Sequence, residues 1–151
     1  MNLKNILIPS GVARPGMLIK DAFSLCVKHN VPGLPYIDAQ GKLAGRVSIR
    51  HIFKVNCIPD FMVDHAHLLG DSLGCINISK EHALTVTDLP VDNFVINNVV
   101  TITPASPVVK ALAVMEKSDV TYIFVMENEQ FLGTVTIMGV AKLMLEMKDQ
   151  K

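Results

Sequence analysis

Neither sign of charge dominates this sequence. Its 151 residues carry 14 lysines and arginines against 14 aspartates and glutamates, for a formal net charge of zero. A protein that holds nucleic acid or anionic lipid by electrostatics needs a basic excess. No such footprint is present, so neither nucleic acid nor a membrane surface is an expected partner, and any ligand must be recognised by a local site. Cysteine is scarce: Cys26, Cys57 and Cys75 are odd in number and their spacing makes no disulfide framework. That argues against a secreted, cross-linked scaffold and for a cytoplasmic one. Long hydrophobic runs are missing too. The N-terminal apolar stretch stops at Pro9, short of a secretory signal. The most apolar tail, Phe131 to Met147, is interrupted by Lys142 and Glu146 and does not reach a bilayer span. A soluble protein is expected.

What is abundant is apolar surface. Half the residues are hydrophobic and the mean hydropathy is positive, which points to a buried sheet and a subunit interface. The length fits one domain or two small halves sharing a core, burying roughly 70% of the unfolded surface.

The chain is organised around a stretch that occurs twice, as Gly45-Arg46-Val47-Ser48-Ile49-Arg50-His51-Ile52 and as Gly133-Thr134-Val135-Thr136-Ile137-Met138-Gly139-Val140. Each copy reads as a strand running into a helix, with a hydroxyl at the junction. Such a hydroxyl can cap the helix or, with the free amides there, hold an anion. The repeat extends outward: Pro104, Ala111 and Val120 each lie 89 residues beyond Pro15, Ala22 and Val31, and Gly133 lies 88 beyond Gly45.

In the first copy the pattern predicts a strand around Lys4 to Ile8, a helix from about Met17 to His29 and a strand over Leu34 to Ile37. A turn at Asp38 to Lys42, a return strand over Leu43 to Val47 and a helix from Ile49 complete it. The second copy predicts a strand over Val99 to Pro104, then a helix with Ser106 as N-cap and Pro107 at its first position. Strands over Tyr122 to Met126 and Phe131 to Thr136 and a helix from Met138 to Met147 follow. A unit of strand, helix, strand, strand and helix cannot bury its own sheet, so the two should pack with pseudo-twofold symmetry and leave clefts between them.

The expected division is a first repeat over residues 1–55, a partly helical insertion over 56–90 and a second repeat over 91–151. Short helices are expected within Met62 to Leu69 and from Ser79 to Val86. The insertion holds Gly70-Asp71-Ser72-Leu73-Gly74, which satisfies the GxSxG pattern of hydrolases. It lacks a preceding strand, and the only histidine after it, His82, is ten residues away, so a glycine-rich loop is the better reading. Asp64-His65-Ala66-His67, with Cys57, Asp71, Cys75 and His82 nearby, offers metal-ligand types at a spacing that matches no zinc motif. No metal site is assigned.

Taken together, Leu34-Pro35-Tyr36-Ile37-Asp38 with Gly41 through Ser48, and Ile123-Phe124-Val125 with Phe131 through Thr136, make the chain resemble a tandem pair of cystathionine-β-synthase (CBS) domains, a Bateman module. The resemblance covers about Lys4 to Phe53 and Val91 to Met147. It implies an α/β fold of α+β type, built from two β-α-β-β-α repeats, and a non-enzymatic regulatory role with no required cofactor. It further implies a regulatory ligand of the adenine nucleotide class (AMP, ADP or ATP) or S-adenosylmethionine in an inter-repeat cleft, and signalling through dimer geometry to a regulated partner protein. The candidate ligand-binding residues are Pro35, Arg46, Ser48, Arg50, His51, Thr103 and Thr136, of which the resemblance implies a ribose or phosphate contact for the hydroxyls of Ser48 and Thr136. The family's ribose-binding aspartate, three residues after the hydroxyl, is replaced by His51 in one copy and Gly139 in the other. Arg46, Arg50 and His51 still favour an anion at the first junction. The alternative is a ligand-free scaffold that docks a partner protein.

Overall fold

The computed structural model describes residues 2–71 and 77–149. Cys75, and Ser72 to Gly74 of the GxSxG match, lie outside them. The first repeat comprises helix α1 (Ile19–His29), strands β1 (Gly33–Ile37) and β2 (Leu43–Ser48) and helix α2 (Ile49–Asn56). Between the repeats lie α3 (Asp60–Asp64), a 3-10 turn (Ala66–Leu68) and α4 (Lys80–Thr87). The second repeat comprises β3 (Thr101–Ile102), α5 (Val108–Lys117), β4 (Tyr122–Glu127), β5 (Gln130–Thr136) and α6 (Ile137–Lys148).

The two halves repeat each other down to their irregularities. β1 and β2 pair antiparallel from Gly33 opposite Ser48, with a register shift after Tyr36. β4 and β5 pair from Tyr122 opposite Thr136, with a shift after Val125. The parallel pairing of β3 with β4 is reduced in the first repeat to one bridge between Ala13 and Tyr36. In the first hairpin Asp38 Oδ1 accepts the amides of Gln40 and Lys42, both at 2.9 Å, and Gly41 supplies the positive φ. Helix α1 ends on Asn30 in the left-handed region, and the turn after α5 places Asp119 there too.

The N-terminal segment is not the expected strand. Leu3–Ile6 is a 3-10 turn, started by the Asn2 side chain accepting the Lys4 amide, and only Ile8 pairs, with Thr134 of β5. Leu3 and Ile6 are thereby buried in the core of the second repeat, among Ile102, Met115, Val125 and Val135. The equivalent 3-10 turn, Val91–Phe94, buries its two apolar side chains among Ile19, Leu34, Val47 and Ile52 of the first repeat, and Ile96 pairs with Arg46 of β2. Each repeat thus lends its leading segment to the other's core, where each buried side chain contributes roughly 1.5–3 kcal/mol. A second correction concerns Ser106. Pro107, with extended dihedrals, occupies the cap position of α5, because the Ser106 hydroxyl is engaged with Thr103, accepting its amide at 3.1 Å.

This exchange accounts for the glycine that opens both copies of the repeated stretch. A Cβ on Gly45 would lie 2.6 Å from the Ile96 carbonyl oxygen and from Val95 Cγ1; one on Gly133 would lie 2.7 Å from Leu7 Cγ and 2.8 Å from the Ile8 carbonyl oxygen. The lent backbone passes where a side chain would stand. The crossing is fastened in the first repeat by Asp92, whose Oδ1 accepts the Tyr36 hydroxyl at 2.7 Å and whose Oδ2 accepts the Gly16 amide at 3.0 Å. Burial, the bond to Asp92 and that carboxylate's charge push the Tyr36 phenol from 10.0 up to about 12. The Tyr36 bond in turn holds the Asp92 carboxyl below its ordinary range, against some burial.

Two outcomes are expected. Gly45→Ala and Gly133→Ala should each destabilise the protein by roughly 1–3 kcal/mol, lowering the melting temperature by about 2–4 °C per kcal/mol; unchanged melts would mean that the lent segments do not pack as described. The Tyr36 phenol is raised in the folded state, so its contribution is complete below the ordinary phenol pKa of 10.0 and is lost as pH rises through about 12. Asp92 is lowered, so its contribution is present above the ordinary carboxyl pKa and lost as pH falls through the depressed folded value. The stability gap between wild type and Tyr36→Phe, read by urea titration, should be widest near neutrality and close at both extremes. A gap that is constant across the range would contradict this linkage.

Candidate ligand cleft between the repeats

Because β2 delivers Ser48 to the start of α2, the first turn of that helix faces the second repeat, where α5 ends and β4 begins. A cavity of about 490 Å³ lies there. One wall carries Arg46, Ser48, Arg50, His51 and Lys54; the other carries Glu116, Ser118, Asp119 and Thr121. A second cavity, of about 600 Å³, adjoins it and is lined largely by apolar residues, among them Val99, Val100, Val114, Ile123 and Phe124. Arg46, Ser118, Val120 and Tyr122 line both.

The cationic side of the first cavity is only loosely engaged. Arg50 Nη1 lies 3.8 Å from Asp119 Oδ2, with the two side chains 83% and 93% exposed, so a ligand anion can compete for the guanidinium at little cost. Arg46 Nη1 instead donates to the Tyr122 hydroxyl at 2.8 Å, and its guanidinium carbon is 5.9 Å from the centre of that ring.

Of the seven residues expected at a ligand, Arg46, Ser48, Arg50 and His51 line the same cavity. Pro35, Thr103 and Thr136 line neither of the two cavities. Pro35 is buried in β1 opposite Arg46, with its carbonyl accepting the Ala13 amide. Thr103 is exposed beyond β3 and bonded to Ser106. Thr136 caps α6, its Oγ1 accepting the Gly139 amide at 3.0 Å. Ser48 caps α2 in the same manner, but its bond to the His51 amide is 3.4 Å long. A capping hydroxyl uses one lone pair, and its proton stays available to a ligand. At the second junction the residue in the place of Arg46 is Thr134, fully buried and 3.4 Å from the Ser10 hydroxyl.

The wall contributed by the second repeat, Glu116 to Tyr122, carries no motif of its own. The available signal was the symmetry: opposite the first hydroxyl junction must stand the helix-to-strand turn of the other repeat. Among the described residues no three His, Cys, Asp or Glu side chains gather as a metal site, and no helix is long and apolar enough to cross a membrane. Burial pushes the Cys26 thiol up to about 11 and raises that of Cys57.

Residues 6–56 and 86–146 match the CBS domain family, and the chain belongs to that family. Among curated proteins it is 30% identical over 70 residues to the methylated protein MJ0556 of Methanocaldococcus jannaschii, a match covering 45% of this chain and 37% of that protein. The chain therefore spans little more than a third of the relative's length. Among solved structures it superposes on the CBS domain pair of protein MJ0100, in complex with 5′-methylthioadenosine and S-adenosyl-L-methionine. That match has a TM-score of 0.66 at 21% identity and covers 97% of this chain and 98% of that one. It also superposes on protein MJ1225 of Methanocaldococcus jannaschii, a putative archaeal homologue of γ-AMPK, with a TM-score of 0.67 at 18% identity over 95% of this chain and 47% of that one. The fold is that of a CBS pair.

The two caps differ in length and should differ in worth. Thr136→Ala is expected to cost about 1 kcal/mol of stability and Ser48→Ala measurably less; equal losses in urea titrations would show the Ser48 hydroxyl to be as fully committed to its helix as Thr136.

Proposed function

We propose that the chain is a non-enzymatic regulatory sensor that binds an adenine nucleotide of the AMP, ADP or ATP class in the inter-repeat cleft. The observation that carries this reading is the two-part cleft. A mainly apolar cavity bounded by Val99, Val100 and Phe124, with Asn98 and Lys117 also in its wall, adjoins one bearing Arg50, Lys54 and the start of α2, and Arg46 lines both. An aromatic base with an anionic tail matches that division of chemistry. The adenosyl ligands of the MJ0100 pair, on the same fold, support the same class, and S-adenosylmethionine belongs in any ligand panel. The site residues on this reading are Arg46, Ser48, Arg50 and His51, with Pro35 shaping the strand beneath them, Thr136 at the position symmetric to Ser48 and Thr103 beyond β3 in the second repeat.

Residues 1–55 and 91–151 act as the two repeats, and 56–90 is the added segment. Because the walls of the cleft belong to different repeats, a ligand that binds one arrangement of them better shifts the population toward it. The dimer would carry that change outward; the exposed Met138, Met144 and Leu145 on α6 support a homodimer face. A second reading, a ligand-free scaffold for a partner protein in the cytoplasm, is favoured by the missing ribose-binding carboxylate at His51 and Gly139 and by exposed Phe61, Val63 and Leu68 in the added segment.

Thermal melts with AMP, ADP, ATP and S-adenosylmethionine separate the two. A ligand present at a hundred times its dissociation constant adds about 2.7 kcal/mol, and Arg50→Ala should reduce the shift. If no member of the panel moves the melt, the scaffold reading stands and the sensor reading falls.

A further inference from the structure

We propose that Tyr122 sets the ligand specificity of the cleft by holding Arg46 across the passage between its two cavities, so that a ligand spanning both must draw the guanidinium away. The inference rests on the sensor reading above. The four residues that line both cavities include this hydrogen-bonded pair, so the pair stands where the apolar and the cationic compartments meet.

The two partners differ in freedom. Tyr122 is 5% exposed, its ring packs 5.7 Å from that of Phe124, and its hydroxyl fills the space left by Gly33, where a Cβ would stand only 2.5 Å away. The phenol is a fixed post. Arg46 has its backbone pinned by a pair of hydrogen bonds to Ile96 and lies opposite Pro35 in the β1–β2 register, while its long side chain is half-buried and bonded only at its tip. What can move is the guanidinium.

The consequence is a threshold. A ligand confined to the apolar cavity leaves the Arg46 to Tyr122 bond intact. A ligand with its base there and a phosphate in the neighbouring cavity breaks the bond and replaces it with a charge-assisted one, which is stronger than a bond to a neutral phenol. The phenol therefore subtracts from the affinity of every spanning ligand, and only an anionic one recovers the loss.

Calorimetric titration of wild type, Tyr122→Phe and Arg46→Gln with AMP and with adenosine tests this. Tyr122→Phe removes one hydroxyl and keeps the ring, so the fold should survive. It should bind AMP roughly three- to tenfold tighter, the net worth of one ordinary hydrogen bond, with adenosine unchanged. Arg46→Gln should lose at least about tenfold for AMP and little for adenosine. The inference is overturned if AMP binds wild type but Tyr122→Phe leaves its affinity unchanged, or weakens AMP and adenosine alike as a damaged wall would. Failure of both ligands to bind any of the three proteins would overturn this inference, and the sensor reading falls with it only if ADP, ATP and S-adenosylmethionine fail as well.

Discussion

The fold depends on two backbone crossings. At one, Ile8 and Thr134 exchange amide and carbonyl bonds of 2.9 and 2.8 Å; at the other, Arg46 and Ile96 exchange a pair of 2.9 Å. Each crossing carries a 3-10 turn whose apolar side chains complete the core of the opposite repeat. Neither repeat has a closed core without the other's leading segment, so the two are joined by more than a linker. The cleft inherits its geometry from this, because Arg46 is both a member of a crossing and a wall of the cavities. A ligand that pulls on its side chain pulls on a residue whose backbone ties the first repeat to the segment leading into the second.

The pseudo-twofold relation holds for the backbone and fails for the chemistry. Arg46 corresponds to Thr134 and Tyr122 to Gly33, so one junction carries a guanidinium against a phenol while the other carries a buried hydroxyl bonded to Ser10. Two copies of one supersecondary unit have been given different contents, and the open, charged cleft lies at the first junction.

Much of the fold was legible because the repeat was. The 88- and 89-residue offsets named the elements, and Gly-x-Val-hydroxyl-Ile marked both strand-to-helix junctions. What was not legible was where the leading segments go. Leu3, Ile6, Leu7 and Ile8 form a short apolar run in which a strand and a 3-10 turn cannot be told apart by period, and nothing local says that their burial is in the other repeat. The glycine that opens the repeated stretch is there because another backbone crosses it, and nothing local to either copy says so. Ser106 was misplaced by one position because its hydroxyl had a nearer partner in Thr103. At the cleft, the first wall was visible as a cluster of cations around one hydroxyl. The second, from Glu116 to Tyr122, was invisible because its residues line the cavity through packing between repeats rather than through any spacing along the chain.

Ligand entry at the first junction is tested most directly by following backbone amide resonances of the isotopically labelled protein during titration with AMP. Binding in the cleft predicts saturable shifts concentrated at residues 46–51 and 118–122, on the two facing walls. Shifts concentrated instead at Thr134 to Gly139, or none at saturating AMP, would contradict it.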